Sequence, residues 1–288
     1  MPGPSVAAAL LVSTLLATGA SRSAPADADA PPPQRLEADQ TLITQPTTAP
    51  LARHHSYFRL THRFARDLGR GDFGDLAQDL FSLDNGAIIG LEYRYGITSR
   101  LQAGVHRTIL GKTIEAFGRF DAVRQGSAPV NVALSLGYEG QNNLHQDYQP
   151  SAAVTLSRTF GPALALYATP TYVHDAHTAT LRAEHEGHQH DVPGQDDEDH
   201  SNAVDTWFVG LGARVRVRPT VYIVGEGSPR LGGYTPARAT WAFGVEKTTR
   251  GHVLQLNFGN SFNTTPGQVA RGGDRSQVFM GFNLSRRF

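Results

Sequence analysis

The sequence predicts an all-β chain: a closed antiparallel transmembrane β-barrel of about 12 strands. Three observations predict it: side chains alternate in character from Tyr57 onward, the alternating runs are even in number, and the connections between them sort into short and long by turns. Alternation is the signature of a strand with two different faces. In the last segment Val278, Met280, Phe282, Leu284 and Phe288 share one face, while Gln277, Gly281, Asn283, Ser285 and Arg287 share the other. Around Arg214, the apolar set Trp207, Val209, Leu211, Ala213, Val215 and Val217 alternates with Gly210, Gly212, Arg214, Arg216 and Arg218. Ile89, Leu91, Tyr93, Tyr95 and Ile97 alternate in the same way with Gly90, Glu92, Arg94 and Gly96. A soluble sandwich, the competing all-β fold, rarely puts three arginines in a row on a core face, whereas a polar lumen accommodates them.

The runs are Ser56 to Phe64, Ala87 to Gly96, Leu101 to Thr108, Thr113 to Val123, Pro129 to Glu139, Ser151 to Phe160, Ala163 to His174, Ala203 to Arg218, Thr220 to Gly227, Ala237 to Lys247, His252 to Phe262 and Ser276 to Phe288. Their lengths suit tilted membrane strands, and an even count puts both termini on one side, the periplasmic one. The even-numbered connections, Ile97 to Arg100, Arg124 to Ala128, Gly161 to Pro162, Arg218 to Thr220 and Thr248 to Gly251, are all tight. The odd-numbered ones, Ala65 to Gly86, Gly140 to Pro150, Asp175 to Asn202, Ser228 to Pro236 and Asn263 to Arg275, are long, with only Ile109 to Lys112 short. Short periplasmic turns and long outer loops are what such barrels show. In the first of these loops Phe73, Leu76, Leu80 and Leu83 fit one face of a short helix, expected to pack on the barrel rim.

Composition agrees. The chain has 288 residues with 26 basic and 26 acidic side chains, so it lacks the charge excess that a nucleic-acid partner requires. It has no cysteine, which removes disulfides, thiolate metal sites and cysteine nucleophiles. Its mean hydropathy of −0.31 is too polar for a bundle of membrane helices. Val6 to Ala17 is the one continuous apolar stretch, too short to span a bilayer as a helix, and small residues follow it at Thr18, Gly19 and Ala20. Residues 1–20 are therefore expected to be a signal peptide, although no Lys or Arg precedes the apolar core. The alternative is a buried N-terminal helix. Residues 21–55, Ala- and Pro-rich without periodicity, are expected to be a disordered periplasmic linker, leaving 56–288 for the barrel.

The terminal Phe288, with apolar residues at alternate positions before it and Arg286 interrupting, looks like the signal that barrel-assembly machinery reads. Several stretches also resemble a family of bacterial membrane barrels known as a domain of unknown function: Asp79 to Gly96, Lys112 to Gln125, Arg250 to Ser261 and Gly281 to Phe288. The resemblance implies a membrane-embedded barrel and brings no substrate with it. Together these features place the chain in a bacterial outer membrane, with lipid, lipopolysaccharide and the assembly machinery as expected partners.

The candidate functional residues lie on the polar faces. Arg59, Arg63, Glu92, Arg94, Glu115, Arg119, Asp121, Arg214, Arg216 and Arg218 are expected to line the lumen, joined by Glu226, Glu246 and Arg287. Such charges either pair across the lumen and close it, or line a narrow pore for small polar solutes; the pore is favoured. The alternative is a non-conducting surface barrel that binds a divalent metal in its His/acid-rich outer loop 175–202 through His185, His188, His190 and His200. A hydrolase set drawn from His252, Ser261 and Ser157 has no spacing motif behind it, so no enzyme is expected. No cofactor fingerprint is present, and no cofactor is expected.

Overall fold

The computed structural model describes residues 36–84, 86–176, 203–233, 238–274 and 276–288. The expected signal peptide and the first part of the expected linker lie outside the described residues, as do residues 177–202 of the His-rich loop.

Thirteen strands form one antiparallel sheet: β1 (Ser56–Phe64), β2 (Ala87–Gly96), β3 (Leu101–Thr108), β4 (Ile114–Val123), β5 (Asn131–Gly140), β6 (Gln146–Phe160), β7 (Leu164–Ala176), β8 (Val204–Arg218), β9 (Val221–Ser228), β10 (Arg230–Gly232), β11 (Thr240–Thr248), β12 (His252–Gly259) and β13 (Phe279–Arg287). Apart from β10, each pairs with the next in the chain, β9 pairing with β11, and β1 pairs with β13, with Tyr57 opposite Arg287 and Arg63 opposite Gly281. Because β8 pairs with both β7 and β9, the ring is complete. The three-residue β10 continues the course of β9 along β8 after Pro229, which has no N–H for the ladder, so the barrel is closed by 12 strands. Closure matters physically, since an open edge in lipid would leave a row of backbone groups unpaired.

Alternation works out as the sequence predicts. On β2, Ile89, Leu91, Tyr93 and Tyr95 are exposed on the outside while Ile88, Gly90, Glu92, Arg94 and Gly96 are buried. Around the barrel Val105, Leu136, Leu211, Ile223, Phe243, Val245, Leu254 and Leu256 continue this exposed apolar band. No described helix is long and apolar enough to cross a membrane, and the exposed apolar band lies on the strands. The even-numbered connections lie at one end, here the turn end, and the long ones at the other, the loop end, together with the short β3–β4 and β5–β6 links.

Three expectations need correction. β6 begins at Gln146, so the β5–β6 connection is a short bend, α2 (Gln141–Leu144), rather than a loop reaching Pro150. The β1–β2 loop does form a helix, α1 (Phe73–Gln78), capped by Asp72 and Asp75, but its apolar residues do not pack on the rim: Phe73 is 75% exposed, and Leu80, Phe81 and Leu83 are exposed with it. The third correction is the largest. Residues 36–51, expected to be disordered linker, are ordered and buried, and they lie inside the barrel. Leu36, Leu42 and Ile43 pack there against Ala165, Tyr167, Tyr222 and Val224. The lumen offers this segment charged partners and an apolar patch, enough to offset the entropy of ordering a dozen or so residues.

Candidate functional site: the plugged lumen

The inward face of the strands carries charges that water cannot reach freely, so each needs a partner. Arg59 and Arg94, on neighbouring strands β1 and β2, share Glu92; the Arg59 Nη2 to Glu92 Oε2 distance is 2.5 Å. Arg119 and Asp121 sit two residues apart on β4 and therefore on one face, with Nη2 to Oδ1 at 2.9 Å. Arg214 on β8 reaches Glu246 on β11 at 3.0 Å, and both are fully buried. Arg63 donates to Asn283 Oδ1 at 2.8 Å.

Residues 36–51 double back as a hairpin among these groups. Thr41 and Pro46 pair, Leu42 N–H donates to Gln45 O at 2.8 Å, and Thr47 N–H donates to Gln40 O at 2.9 Å. The tip is held by a single carboxylate: Glu226 accepts the N–H groups of Ile43, Thr44 and Gln45 at 3.0, 2.9 and 3.0 Å. The hairpin's carbonyls are satisfied by the wall. Arg59 Nη1 donates to Thr41 Oγ1 and Ile43 O, Arg214 Nη2 to Thr41 O, Gln255 Nε2 to Leu42 O, and Asn283 Nδ2 to Ile43 O. At the hairpin's turn-end arm, the hydroxyls of Thr48 and Ser157 are 2.5 Å apart.

A second insertion comes from the loop end. Between β12 and β13 the chain forms α3 (Pro266–Arg271), with Thr265 as N-cap and Pro266 in the first turn, and Gly267, Gln268, Val269 and Ala270 are buried. Val269 and Ala270 pack on Val173, Ala176 and Phe208. Glu139 holds the start of α3, accepting from Thr265 Oγ1 and Gly267 N–H, each at 3.0 Å. The two insertions touch where Thr44 Oγ1 donates to Asn263 O at 3.1 Å. Beside that contact a chamber of about 100 Å³ remains, walled by Arg59, Glu92, Arg94, Glu115 and Arg119 and bounded by hairpin and α3 residues.

A closed 12-strand membrane barrel with its own N-terminal segment inside can be set beside known proteins. The membrane-bound β-barrel domain DUF5777 matches residues 38–288, nearly the whole described chain. The chain belongs to the DUF5777 family. The match begins inside the hairpin, so the DUF5777 domain takes in the lumen segment together with the strands. No curated protein matches in sequence. Among solved structures the barrel is similar to the NanC porin (TM-score 0.48, 8% identity, covering 80% of this chain and 97% of that one). It is similar also to the COG4313 outer membrane channel from Pseudomonas putida F1 (0.40, 12%, 83% and 97%) and to outer membrane phospholipase A from Escherichia coli (0.41, 8%, 82% and 90%). This DUF5777 chain is a membrane-bound β-barrel.

Of the residues singled out in sequence, Arg59, Arg63, Glu92, Arg94, Glu115, Arg119, Asp121 and Arg214 are all buried on the lumen side. Arg216 is half-buried with its guanidinium 5.4 Å from the Tyr222 ring, and Arg218 is exposed at the turn-end rim where β8 stops. Phe288 exchanges backbone hydrogen bonds with Ser56, at the seam that closes the ring. His185, His188, His190 and His200 lie outside the described residues. At the base of their loop His174, Asp175 and Asp205 bring one ligand atom each within 4.8 Å of one another. Ser157 and His252 are engaged apart, Ser157 with Thr48, Glu37 and Asn131, and His252 beside Arg286 at 3.4 Å.

Sequence reasoning missed both insertions of this DUF5777 barrel. For α3 the signal was present, a Thr-Pro pair followed by Gln268, which is a helix start. For the hairpin it was weaker: Pro and Ala thin out after Pro33, and a Thr-rich stretch carrying Leu42 and Ile43 takes over.

Proposed function

We propose that the protein is a porin-like channel for small polar solutes whose resting lumen is shut by the 36–51 hairpin. One observation supports this reading above others: beside the apolar contacts of Leu36, Leu42 and Ile43, the hairpin is gripped by polar groups, the Glu226 carboxylate and the donors of Arg59, Arg214, Gln255 and Asn283. Water can replace each of those polar partners when the hairpin leaves, so withdrawal costs less than unpacking a wholly apolar contact of equal size. What remains behind is a lumen lined by paired charges, a path suited to small hydrophilic solutes.

Planar-bilayer recording tests the reading. The chain has no cysteine, so Thr48→Cys/Ser157→Cys introduces one thiol pair at a contact between plug and wall. The oxidised pair should hold the bilayer silent, reduction should restore discrete openings, and deletion of 36–51 should give sustained conductance. A folded deletion variant that passes no current removes the reading.

A second reading, a surface barrel that binds a divalent metal, draws on the His174, Asp175 and Asp205 grouping. Calorimetric titration with Zn should then show a site that His174→Ala abolishes. Equal binding by the variant removes those three residues from any such role.

A further inference from the structure

The chamber between the hairpin and α3 contains two charged groups that the protein itself does not satisfy. Arg94 is 5% exposed, yet among the described residues it makes one ion pair, through Nε to Glu92, and its terminal nitrogens donate to nothing. The rings of Phe117 and Tyr57 hold the guanidinium in place, 4.9 and 5.6 Å from its central carbon. Glu115 is the opposite case. It is 7% exposed, accepts no hydrogen bond from the described residues, and meets one basic group, His106 Nδ1, at 3.9 Å, beyond hydrogen-bonding reach. Both side chains border the same chamber.

A nearly buried carboxylate without a donor, and a nearly buried guanidinium fork without an acceptor, are each costly unless water or a solute satisfies them. The fold nevertheless keeps them apart: Glu92, which takes both Arg59 and Arg94, leaves Glu115 without an arginine. Gly137 keeps the space beside Glu115 open, since a Cβ there would lie 3.1 Å from Glu115 Oε1 and 2.6 Å from Ser151 Oγ. Neutral hydrogen-bonding groups complete the wall, among them the hydroxyls of Ser135, Ser151 and Thr169, the last of them buried without a partner.

We infer that the chamber binds a small zwitterion, its carboxylate on the free end of Arg94 and its ammonium on Glu115. A guanidinium fork matches a carboxylate in shape and charge, and an ammonium supplies the three donors that Glu115 lacks. A solute with a single charge satisfies one of the two groups and leaves the other bare, which is how a site built of buried charges discriminates. At roughly 10–15 Å³ per water-sized group, the chamber's volume holds about seven to ten of them, the size of a small amino acid. The inference deepens the channel reading by naming its solute class, and depends on that reading only for what the bound solute does next.

Calorimetry on the full-length chain, folded in detergent micelles, tests it with L-alanine, propionate and ethylamine as probes. Alanine should bind at least tenfold more tightly than either singly charged probe. Glu115→Gln should abolish alanine's advantage over propionate but not over ethylamine, and Arg94→Gln should abolish its advantage over ethylamine but not over propionate. Heat-modifiable gel migration confirms that each variant is folded. Equal binding of the three probes by the native chain overturns the inference, as does a loss that is the same for all three probes in both variants. Alanine preference without bilayer current leaves the site standing and defeats the channel; current without alanine preference does the reverse.

Discussion

Two insertions fill this barrel from opposite ends, and they differ in how they are joined to it. The hairpin of residues 36–51 enters from the turn end and is attached to the wall by hydrogen bonds to charged and amide side chains, and by Leu36, Leu42 and Ile43 packed on Ala165, Tyr167, Tyr222 and Val224. The α3 segment enters from the loop end, is joined to strands on both sides, and lays Val269 and Ala270 on Val173, Ala176 and Phe208. Polar contacts exchange readily with water, whereas an apolar contact loses its stabilisation once it is exposed. On the channel reading the hairpin, joined to a strand at one described end only, is the segment that moves. The α3 segment, joined to strands at both ends, is the one that stays and forms one wall of the chamber.

Three substitutions break or sharpen that contrast. The largest effect is expected from Glu226→Ala, which strips the hairpin tip of an acceptor for three N–H groups. The loss, about 2 kcal/mol after allowing for partial solvation, should raise hydrogen exchange at residues 43–45 roughly 30-fold while leaving 267–270 untouched. Unchanged protection at 43–45 would show that the polar grip is not what holds the plug. Glu139→Ala should act on the other insertion alone. It removes the acceptor for Thr265 and Gly267, and a cost of about 1.5 kcal/mol should speed exchange at the start of α3 about tenfold without changing the bilayer recording. The smallest effect is expected from Thr265→Ala, where loss of the N-cap costs about 1 kcal/mol and exchange of the Gln268 amide rises about fivefold.

The walls of the barrel were far more legible than its contents. Ser56–Phe64, Ala87–Gly96 and Leu101–Thr108 can be read to the residue, because lipid outside and polar groups inside impose a period of two on every strand. The same period identified Arg59, Glu92, Arg119 and Arg214 as inward-facing. It could not show that Arg218 falls past the rim, since alternation marks a face and not a depth. The hairpin escaped because its order does not come from its own pattern. Residues 36–51 have no stripe of their own, and what fixes them is a set of partners more than a hundred residues away, Arg214, Glu226 and Gln255 among them. The free ends of Arg94 and Glu115 escaped for a related reason. Sequence gives the charges present, but which of them is left without a partner depends on Glu92 taking two arginines at once.

The carboxylate of Glu226, closed around three consecutive amides, is also how a receptor captures a loop of another chain. The hairpin is in effect a ligand tied to its receptor by the few residues between Leu51 and the start of β1. A tether that short sets an effective concentration in the millimolar range or above, so even a weak intrinsic affinity keeps the site occupied, and dilution cannot empty it. The same arithmetic runs in the other direction: a free peptide of residues 36–51, supplied to the deletion variant at about that concentration, should close the barrel again.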